Sequence, residues 1–368
     1  MKKKIVYLFT SCKNRGPTKQ TLNIIKYLDG NKFCPILVTL YKDSPDDSIL
    51  NEFTLFVEKH YTIDSSPKKI LLGSNKAIFN LLEEIGADII HSIGLIPAIV
   101  AQRYAKSIHF TTIRNFVRDD YITKFGQITG SIMAKMHLSV IKKCNNVYTC
   151  SESLSKLYKE TFNFDLPFIR NGVDIKNYPL KIESEAEILR EKFDLPQDKI
   201  IYIYTGQFVP RKDQQFAING FLENKIKNDA ILLLLGDGAI FQELYDKYNG
   251  NDVIFTGNVA NVSEYLRAAD VYISTSKSEG LPNGVLEAMA TGLPVLLSDI
   301  LQHKEIYEIN DKIGLLYKLG NQNDFNLQLT AMAQQDFKRI EYASYEVIST
   351  ELNAKSMSEN YQREYLSV

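Results

Sequence analysis

The chain of 368 residues contains no tryptophan, only four cysteines and five histidines, and no long apolar run. A membrane-spanning helix needs about 20 consecutive apolar residues, whereas the longest candidates here are short pieces such as AILLLL at 230–235. The cysteines form no CxxC pair and no zinc-ligand cluster with the histidines, which is typical of structural thiols in a reducing cytoplasm. The sequence therefore predicts a cytoplasmic protein without a membrane span and without a metal site.

The N-terminal segment MKKKIVYLFTSC resembles a secretory signal in its lysines and the apolar stretch that follows them. That stretch covers only Ile5–Phe9, which is shorter than the apolar core of about 7 to 15 residues in a secretory signal. The segment is therefore interpreted as a buried first strand.

Three common nucleotide-binding patterns are also missing. The loop after the first strand, TSCKNRGPTKQ, contains a single glycine, Gly16, where a dinucleotide-binding protein has GxGxxG. There is no GxxxxGK[ST] phosphate loop and no Asp-x-Asp pair of the kind that holds a divalent metal in many sugar-nucleotide enzymes. These absences argue against nicotinamide, flavin and metal cofactors, so no cofactor is expected.

Charge nearly cancels, with 43 basic and 44 acidic residues, which argues against a nucleic-acid-binding protein. The balance is nevertheless split, because residues 1–180 hold 25 basic and 16 acidic side chains and residues 181–368 hold 18 and 28. The net charge changes from positive to negative at the charged segment that follows NGVDIKNYPL. Two domains with different tasks are expected, covering 1–178 and 179–353. By its own pattern a terminal helix at about 354–368 could pack on either domain, and a resemblance described below assigns it to the first.

Short β-branched and aromatic runs alternate with segments of helical periodicity along the whole chain. Such runs indicate parallel strands that are covered on both faces by helices. The runs are found at 4–10, 35–41, 88–92, 109–113 and 146–151, and again at 201–205, 230–236, 252–257, 270–275 and 294–299. The predicted fold class is α/β, with two doubly wound Rossmann-like domains that face each other across a cleft.

The densest motif is SEGLPNGVLEAMATGLPVLLSD at 278–299. Pro282 is suited to a first helical turn, and Gly292 followed by Pro294 is suited to a helix end. A helix that begins where a strand ends presents its N-terminus to the ligand-binding edge of the sheet, where it attracts phosphate. Glu279 precedes this helix and Glu287 lies within it, so the two carboxylates can contact opposite ends of one elongated ligand.

Here the sequence resembles the retaining glycosyltransferases of family 4, which have the GT-B fold. Seven residues separate Glu279 from Glu287, as in the signature of that family. Supporting motifs occur in family order: RNGVD at 170–174, GQFVPRKD at 206–213, LLLLGDG at 232–238 and VIFTGNV at 253–259. The resemblance implies transfer of a hexose or N-acetylhexosamine from a nucleotide-diphosphate sugar, with a UDP-sugar as the expected donor, to a hydroxyl group of a glycan or polyprenyl-linked acceptor. The implied pathway is bacterial surface polysaccharide synthesis.

The resemblance also implies roles for individual residues of the second domain. Glu287 would accept hydrogen bonds from the ribose hydroxyls and Glu279 from hydroxyls of the transferred sugar. Lys212 and Arg211 would neutralise the diphosphate as the glycosidic bond breaks. The remaining donor-side positions would contribute mainly backbone: Gly206, Gly257, Asn258, Val259, Gly280, Leu281 and Asn283.

The first domain departs from the family pattern in two loops. A single Gly16 stands where the family usually has adjacent glycines next to the donor phosphates, and it keeps one flexible position there. In HFTTIRNF, Arg114 and Asn115 occupy the loop in which the family often has histidine, so Arg114 is a candidate contact for an anionic or hydroxyl-rich acceptor. His91 and Asn171 complete the acceptor-side candidates, although a buried core histidine is an equally good interpretation of His91.

Two further alternatives stay open at this point. The basic first domain, with Lys135, Lys142 and Lys143 among apolar residues, is either a peripheral contact for an anionic membrane or an ordinary solvated face. The function itself has two competitors: a nucleotide-sugar 2-epimerase of the same fold, and a catalytically silent sugar-nucleotide-binding subunit.

Overall fold

The computed structural model describes residues 2–368 and divides the chain into two compact units. The first unit extends to Gly172 and also contains Ala354–Val368, and the second unit is Val173–Asn353. The chain enters and leaves the second unit at neighbouring points, because Val173 N donates to Leu352 O at 2.9 Å and Val173 pairs with Asn353 in an isolated parallel bridge.

The first unit is built on a parallel six-stranded sheet in the order β3-β2-β1-β4-β5-β6. Its strands are β1 Lys3–Phe9, β2 Phe33–Thr39, β3 Lys59–Thr62, β4 Ile89–Ser92, β5 Ile108–Ile113 and β6 Asn146–Thr149. The order reverses between β1 and β4, which is the doubly wound arrangement. Its helices are α1 Gly16–Lys26, α2 Leu50–Phe53, α3 Pro67–Leu71, α4 Lys76–Ile85, α5 Leu95–Arg103, α6 Val117–Phe125, α7 Gln127–Ile141 and α8 Glu152–Phe162.

The second unit repeats this plan with a parallel six-stranded sheet in the order β12-β11-β10-β7-β8-β9. Its strands are β7 Ile200–Thr205, β8 Ala230–Leu235, β9 Val253–Gly257, β10 Val271–Ser274, β11 Val295–Ser298 and β12 Gly314–Tyr317. Its helices are α9 Glu183–Lys192, α10 Gln214–Glu223, α11 Phe241–Tyr248, α12 Val262–Ala268, α13 Asn283–Ala290, α14 Leu301–Tyr307, α15 Gln322–Met332 and α16 Phe337–Thr350. β8 is buried along its whole length because helices cover both faces of the sheet.

The last helix, α17 Ala354–Leu366, packs on the first unit. Its apolar face, with Met357, Tyr361 and Tyr365 spaced four residues apart, is buried in the core together with Tyr7 of β1. Ser358 Oγ fixes the helix by donating to Ile24 O of α1 at 2.7 Å. The residue spacing predicts this apolar face, whereas the assignment of the helix to the first domain comes only from the family resemblance.

Within residues 2–368, no helix is both long enough and apolar enough to cross a bilayer.

Three histidines are enclosed in the two cores, and burial lowers the pKa of each: His91 to about 3, His137 to about 4 and His303 to about 4. Above pH 6.5 they are neutral in both the folded and the unfolded chain, so they do not change stability with pH. Below pH 6.5 the unfolded chain binds protons that the native chain does not, so stability falls with pH until about pH 4 for His137 and His303 and until about pH 3 for His91.

We therefore expect the melting temperature to drop steeply between pH 6.5 and 5, above the range in which most carboxylates titrate. Each fully protonated unfolded-state histidine contributes about 1.4 kcal/mol per pH unit. Scanning calorimetry over this range measures the slope, and H137Q, which removes one titrating group, is expected to flatten it. A melting temperature that stays constant from pH 6.5 to 5 contradicts this account.

Candidate functional site

The carboxyl end of β7 leads into a short 3₁₀ turn, Pro210–Lys212, that the neighbouring β10 loop holds in place. Thr275 Oγ1 donates to Lys212 O at 3.1 Å and to Asp213 O at 2.8 Å. Lys277 N donates to Arg211 O at 2.7 Å. These contacts fix the backbone of the turn, so both cationic side chains extend from a rigid platform at the edge of the second sheet.

Glu279 lies between the two cations that the turn presents. Its Oε1 pairs with Lys212 Nζ at 2.5 Å, and its Oε2 accepts from Arg211 Nη1 at 3.0 Å. Ser276 Oγ donates to the same carboxylate at 2.7 Å. The Glu279 side chain is 6% exposed and that of Lys212 13%, so the cluster is shielded from water and its interactions are strong.

The pKa values follow from this arrangement. Burial alone raises the pKa of Glu279, but the charges of Lys212 and Arg211 outweigh burial and lower it to about 2. The carboxylate is therefore ionised at all physiological pH values. Burial lowers the pKa of Lys212, and Arg211 adds to this effect while Glu279 opposes it. The Glu279 carboxylate is thus held between two cations.

Ser276, which donates to Glu279, is itself held in place by Ser298 and His303. Ser298 Oγ, at the end of β11, donates to Ser276 O at 2.7 Å. His303 Nδ1 lies 2.9 Å from Ser298 O, and because a carbonyl only accepts, this nitrogen carries the proton. Sequence reasoning missed Ser276, Ser298 and His303; the signal that could have found them is that Ser276 and Ser298 lie at the carboxyl ends of β10 and β11.

Helix α13 begins beside this cluster. Pro282 precedes it and contributes no side-chain cap. Gly284 lies in the first turn, directly against Thr205 and Tyr272, where any side chain would collide with both hydroxyl groups. Glu287, half-buried on the same helix, raises the pKa of Lys212 and so lies within electrostatic reach of it.

The remaining donor-side residues predicted from the sequence lie at the same edge of the second sheet. Gly206 follows β7, with φ of +144°, and Lys212 Nζ lies close to its Cα. Gly257 ends β9 with φ of +68°, and its carbonyl accepts from Gly236 N at 2.9 Å. Asn258 is exposed and Val259 half-buried beyond it. Gly280 and Leu281 are buried in the loop before Asn283, the first residue of α13.

The acceptor-side candidates all lie in the first unit. Gly16, which the sequence predicts as a donor-side residue, also belongs to the first unit, as the first residue of α1. Arg114 and Asn115 follow β5, where Arg114 Nη1 donates to Asn171 Oδ1 at 2.5 Å and Asn115 Nδ2 donates to Asp120 Oδ1 at 3.3 Å. The structure therefore brings Arg114 and Asn171 together.

His91 does not join the other acceptor-side candidates. Both ring nitrogens are engaged inside the core, Nδ1 with Tyr365 OH at 2.6 Å and Nε2 with Thr112 Oγ1 at 2.9 Å. Of the two interpretations that the sequence leaves open, these contacts support the core histidine.

No group of three or more His, Cys, Asp or Glu side chains that could hold a metal ion occurs in the part of the chain that the structure describes.

The fold is shared with known glycosyltransferases. The chain superposes over its whole length on Alr3699/HepE of Anabaena, solved in complex with UDP, with a TM-score of 0.81, 16% identity and 100% of both chains covered. The two parallel six-stranded sheets with their helices are thus the GT-B fold, as the sequence predicts.

Sequence relatives point to the same class. Residues 185–346, all in the second unit, match the family model described as "Glycosyl transferases group 1". The chain is 22% identical to UDP-Gal:alpha-D-GlcNAc-diphosphoundecaprenol alpha-1,3-galactosyltransferase of Escherichia coli, over 77% of this chain and 74% of that protein. It is also 22% identical to the O-antigen biosynthesis glycosyltransferase WclY of E. coli, over 98% of each. These matches support a glycosyltransferase of group 1 with relatives in polysaccharide biosynthesis.

Proposed function

We propose that this protein is a retaining glycosyltransferase of family 4 that moves a hexose or N-acetylhexosamine from a UDP-sugar to a hydroxyl group of a glycan or polyprenyl-linked acceptor. The transfer requires no metal ion. It takes place in the cytoplasm, as a step in the synthesis of a bacterial surface polysaccharide. The observation that carries the proposal is the ion cluster of Glu279 with Arg211 and Lys212, which lies beside the start of α13 at the carboxyl edge of the second sheet.

The cluster supplies what departure of a nucleoside diphosphate requires. When the bond between the sugar C1 and the phosphate oxygen breaks, its electron pair moves onto the diphosphate. Lys212 and Arg211, together with the positive end of α13, stabilise this developing charge. The ionised Glu279 accepts hydrogen bonds from the sugar hydroxyls and keeps the two cations in place, while Glu287 accepts from the ribose.

In the same step the acceptor oxygen bonds to C1 on the face that the leaving group vacates, so the anomeric configuration is retained. The proton of the acceptor hydroxyl passes to the departing phosphate oxygen. This route needs no nucleophile from the protein, and Glu279 is unsuited to that role because its pairing with Arg211 and Lys212 and its low pKa reduce its basicity.

Related proteins support the donor and the acceptor class. The E. coli galactosyltransferase is named for UDP-galactose and for a diphosphoundecaprenol-linked sugar, WclY for O-antigen biosynthesis, and the Anabaena structure contains UDP.

The test is incubation of the full chain with UDP-galactose, UDP-glucose or UDP-N-acetylglucosamine and a polyprenyl-diphosphate-linked sugar, with and without a chelator. The expected result is release of free UDP that the chelator leaves unchanged, together with an α-linked product by NMR. A changed sugar that stays attached to UDP identifies an epimerase instead. Binding of UDP without release identifies a silent subunit, and loss of release with chelator contradicts metal independence.

We further propose that α7 attaches the first unit to an anionic membrane. Ile128 and Ile132 are 79% and 62% exposed on its outer face, and Lys135 continues the same face one turn further on. Lys142 and Lys143 are exposed at the end of the helix. Apolar side chains beside lysines match an anionic lipid surface, with about 1 kcal/mol from each cation near the headgroups.

Flotation with vesicles tests this proposal. The chain is expected to float with vesicles that contain phosphatidylglycerol and to dissociate as salt is raised, and I128S/I132S is expected to lose most of this binding. L327S is the matched control, because Leu327 is 68% exposed but belongs to the second unit. Absence of salt-sensitive flotation contradicts the proposal, and so does an equal loss of vesicle binding in the L327S control.

A further inference from the structure

Arg114 is a cation with an incomplete set of partners. It follows β5 at the carboxyl edge of the first sheet, and Cys150 Sγ holds its carbonyl group at 3.6 Å. Its Nη1 donates to Asn171 Oδ1, but Nε and Nη2 are shielded from solvent and have no hydrogen-bond partner among residues 2–368. Half of the guanidinium group is therefore buried without compensation.

No carboxylate neutralises this charge. Among the ion pairs of the described chain none includes Arg114. Asp120, which accepts from the neighbouring Asn115, is paired with Lys124 Nζ at 2.7 Å. The uncompensated charge acts on its surroundings. Burial is the main cause of the low pKa of His91, and Arg114 lowers it further; burial raises the pKa of Tyr361, and Arg114 opposes this.

The two unpartnered donors have a specific geometry. Nε–H and Nη2–H form one parallel edge of the guanidinium plane, the edge that binds two oxygens of a carboxylate or phosphate at once. Burying such an edge without a partner is unfavourable. In a doubly wound sheet, ligands bind at the carboxyl ends of the strands, which is where this edge lies.

We propose that Arg114 binds an anionic group of the acceptor, a phosphoryl or carboxylate group, through Nε and Nη2. This inference rests on the proposed function, which places the donor in the second unit and so leaves the first unit for the acceptor. It narrows the acceptor class from any hydroxyl compound to hydroxyl compounds that also carry an oxyanion.

Calorimetric titration of the full chain with inorganic pyrophosphate and, separately, with malonate tests the inference and distinguishes the two sources of the oxyanion. The titrations are carried out with and without saturating UDP, so that binding at the proposed donor site is recognised by competition. UDP binding without an Arg114-dependent anion site refutes this inference alone, whereas Arg114-dependent binding without UDP binding argues against the proposed donor site.

The expected result is that R114Q weakens binding of one of the two probes about tenfold or more in the presence of UDP. R114K is expected to be intermediate, because an ammonium group retains the charge but loses the bidentate edge. R118Q is the matched control: Arg118 is exposed on α6, four residues along the chain, and its replacement is expected to change nothing.

A second measurement separates binding from a structural role. Since Arg114 carries a buried charge without a counter-ion, R114Q without ligand is expected to melt at the same temperature as the wild type or above it, and only the wild type is expected to gain stability from the anion. Equal anion affinity in wild type and R114Q overturns the inference, as does absence of anion binding by the wild type.

Discussion

Replacing Lys212 by methionine is expected to lower the turnover number for UDP release by about 10²- to 10³-fold with a much smaller change in KM. Lys212 lies beside the proposed diphosphate position, buried and fixed by Glu279, so its charge acts with little screening where negative charge develops. Methionine keeps the length and apolar stem of the side chain but removes the cation. Steady-state rates of UDP release measure the effect.

The matched control is K277M. Lys277 belongs to the adjacent loop, its side chain is 54% exposed, and it pairs with Asp213 at 2.7 Å rather than with Glu279. Its removal is expected to alter turnover less than twofold, in line with the small contribution of exposed ion pairs. A folded K212M protein with wild-type turnover would disprove the role assigned to the cluster.

Replacing Asp270 by asparagine is expected to lower the free energy of unfolding by about 3 to 5 kcal/mol. Asp270 accepts from Arg190 Nη2 at 2.5 Å and from Lys181 Nζ at 2.9 Å, and its Oδ2 also accepts from Ile201 N at 2.9 Å. The variant leaves two largely buried cations next to a neutral amide. Urea unfolding of the full chain measures the loss.

The control for this prediction is D252N in the same unit. Asp252 is 42% exposed and its pair with Lys199 is 4.0 Å long, so its replacement is expected to cost less than about 1 kcal/mol. Similar losses of unfolding free energy in both variants would show that the burial of Asp270 does not make its ion pairs more stabilising than an exposed pair.

The central strands are predictable from the sequence because burial on both faces imposes a continuous apolar run. β8, AILLLL, is such a strand, and it lies inside its sheet. β3 and β12 escape the same reasoning, since neither strand is buried along its whole length. No residue of Lys59–Thr62 is buried and three of its four residues are polar, while β12 begins with Gly314 and only its two end residues are buried.

The site is predictable to the extent that its residues are close in the chain. The spacing of Glu279 and Glu287 and the RKD turn are local patterns, so they are recognisable. The contact of Arg114 with Asn171 joins positions 57 residues apart, and the support of Glu279 by Ser298 and His303 arises only when β10 and β11 pair. Such contacts depend on the packing of strands and loops, which no local pattern contains.

The return of α17 to the first unit has a consequence for biosynthesis. A ribosome completes every strand of the first sheet early, yet Tyr361 and Tyr365, which fill its core, leave the exit tunnel only after the entire second unit has been translated. The first unit therefore cannot complete its core until Val173–Asn353 has been translated, and the apolar surface that α17 covers stays exposed to water during that time.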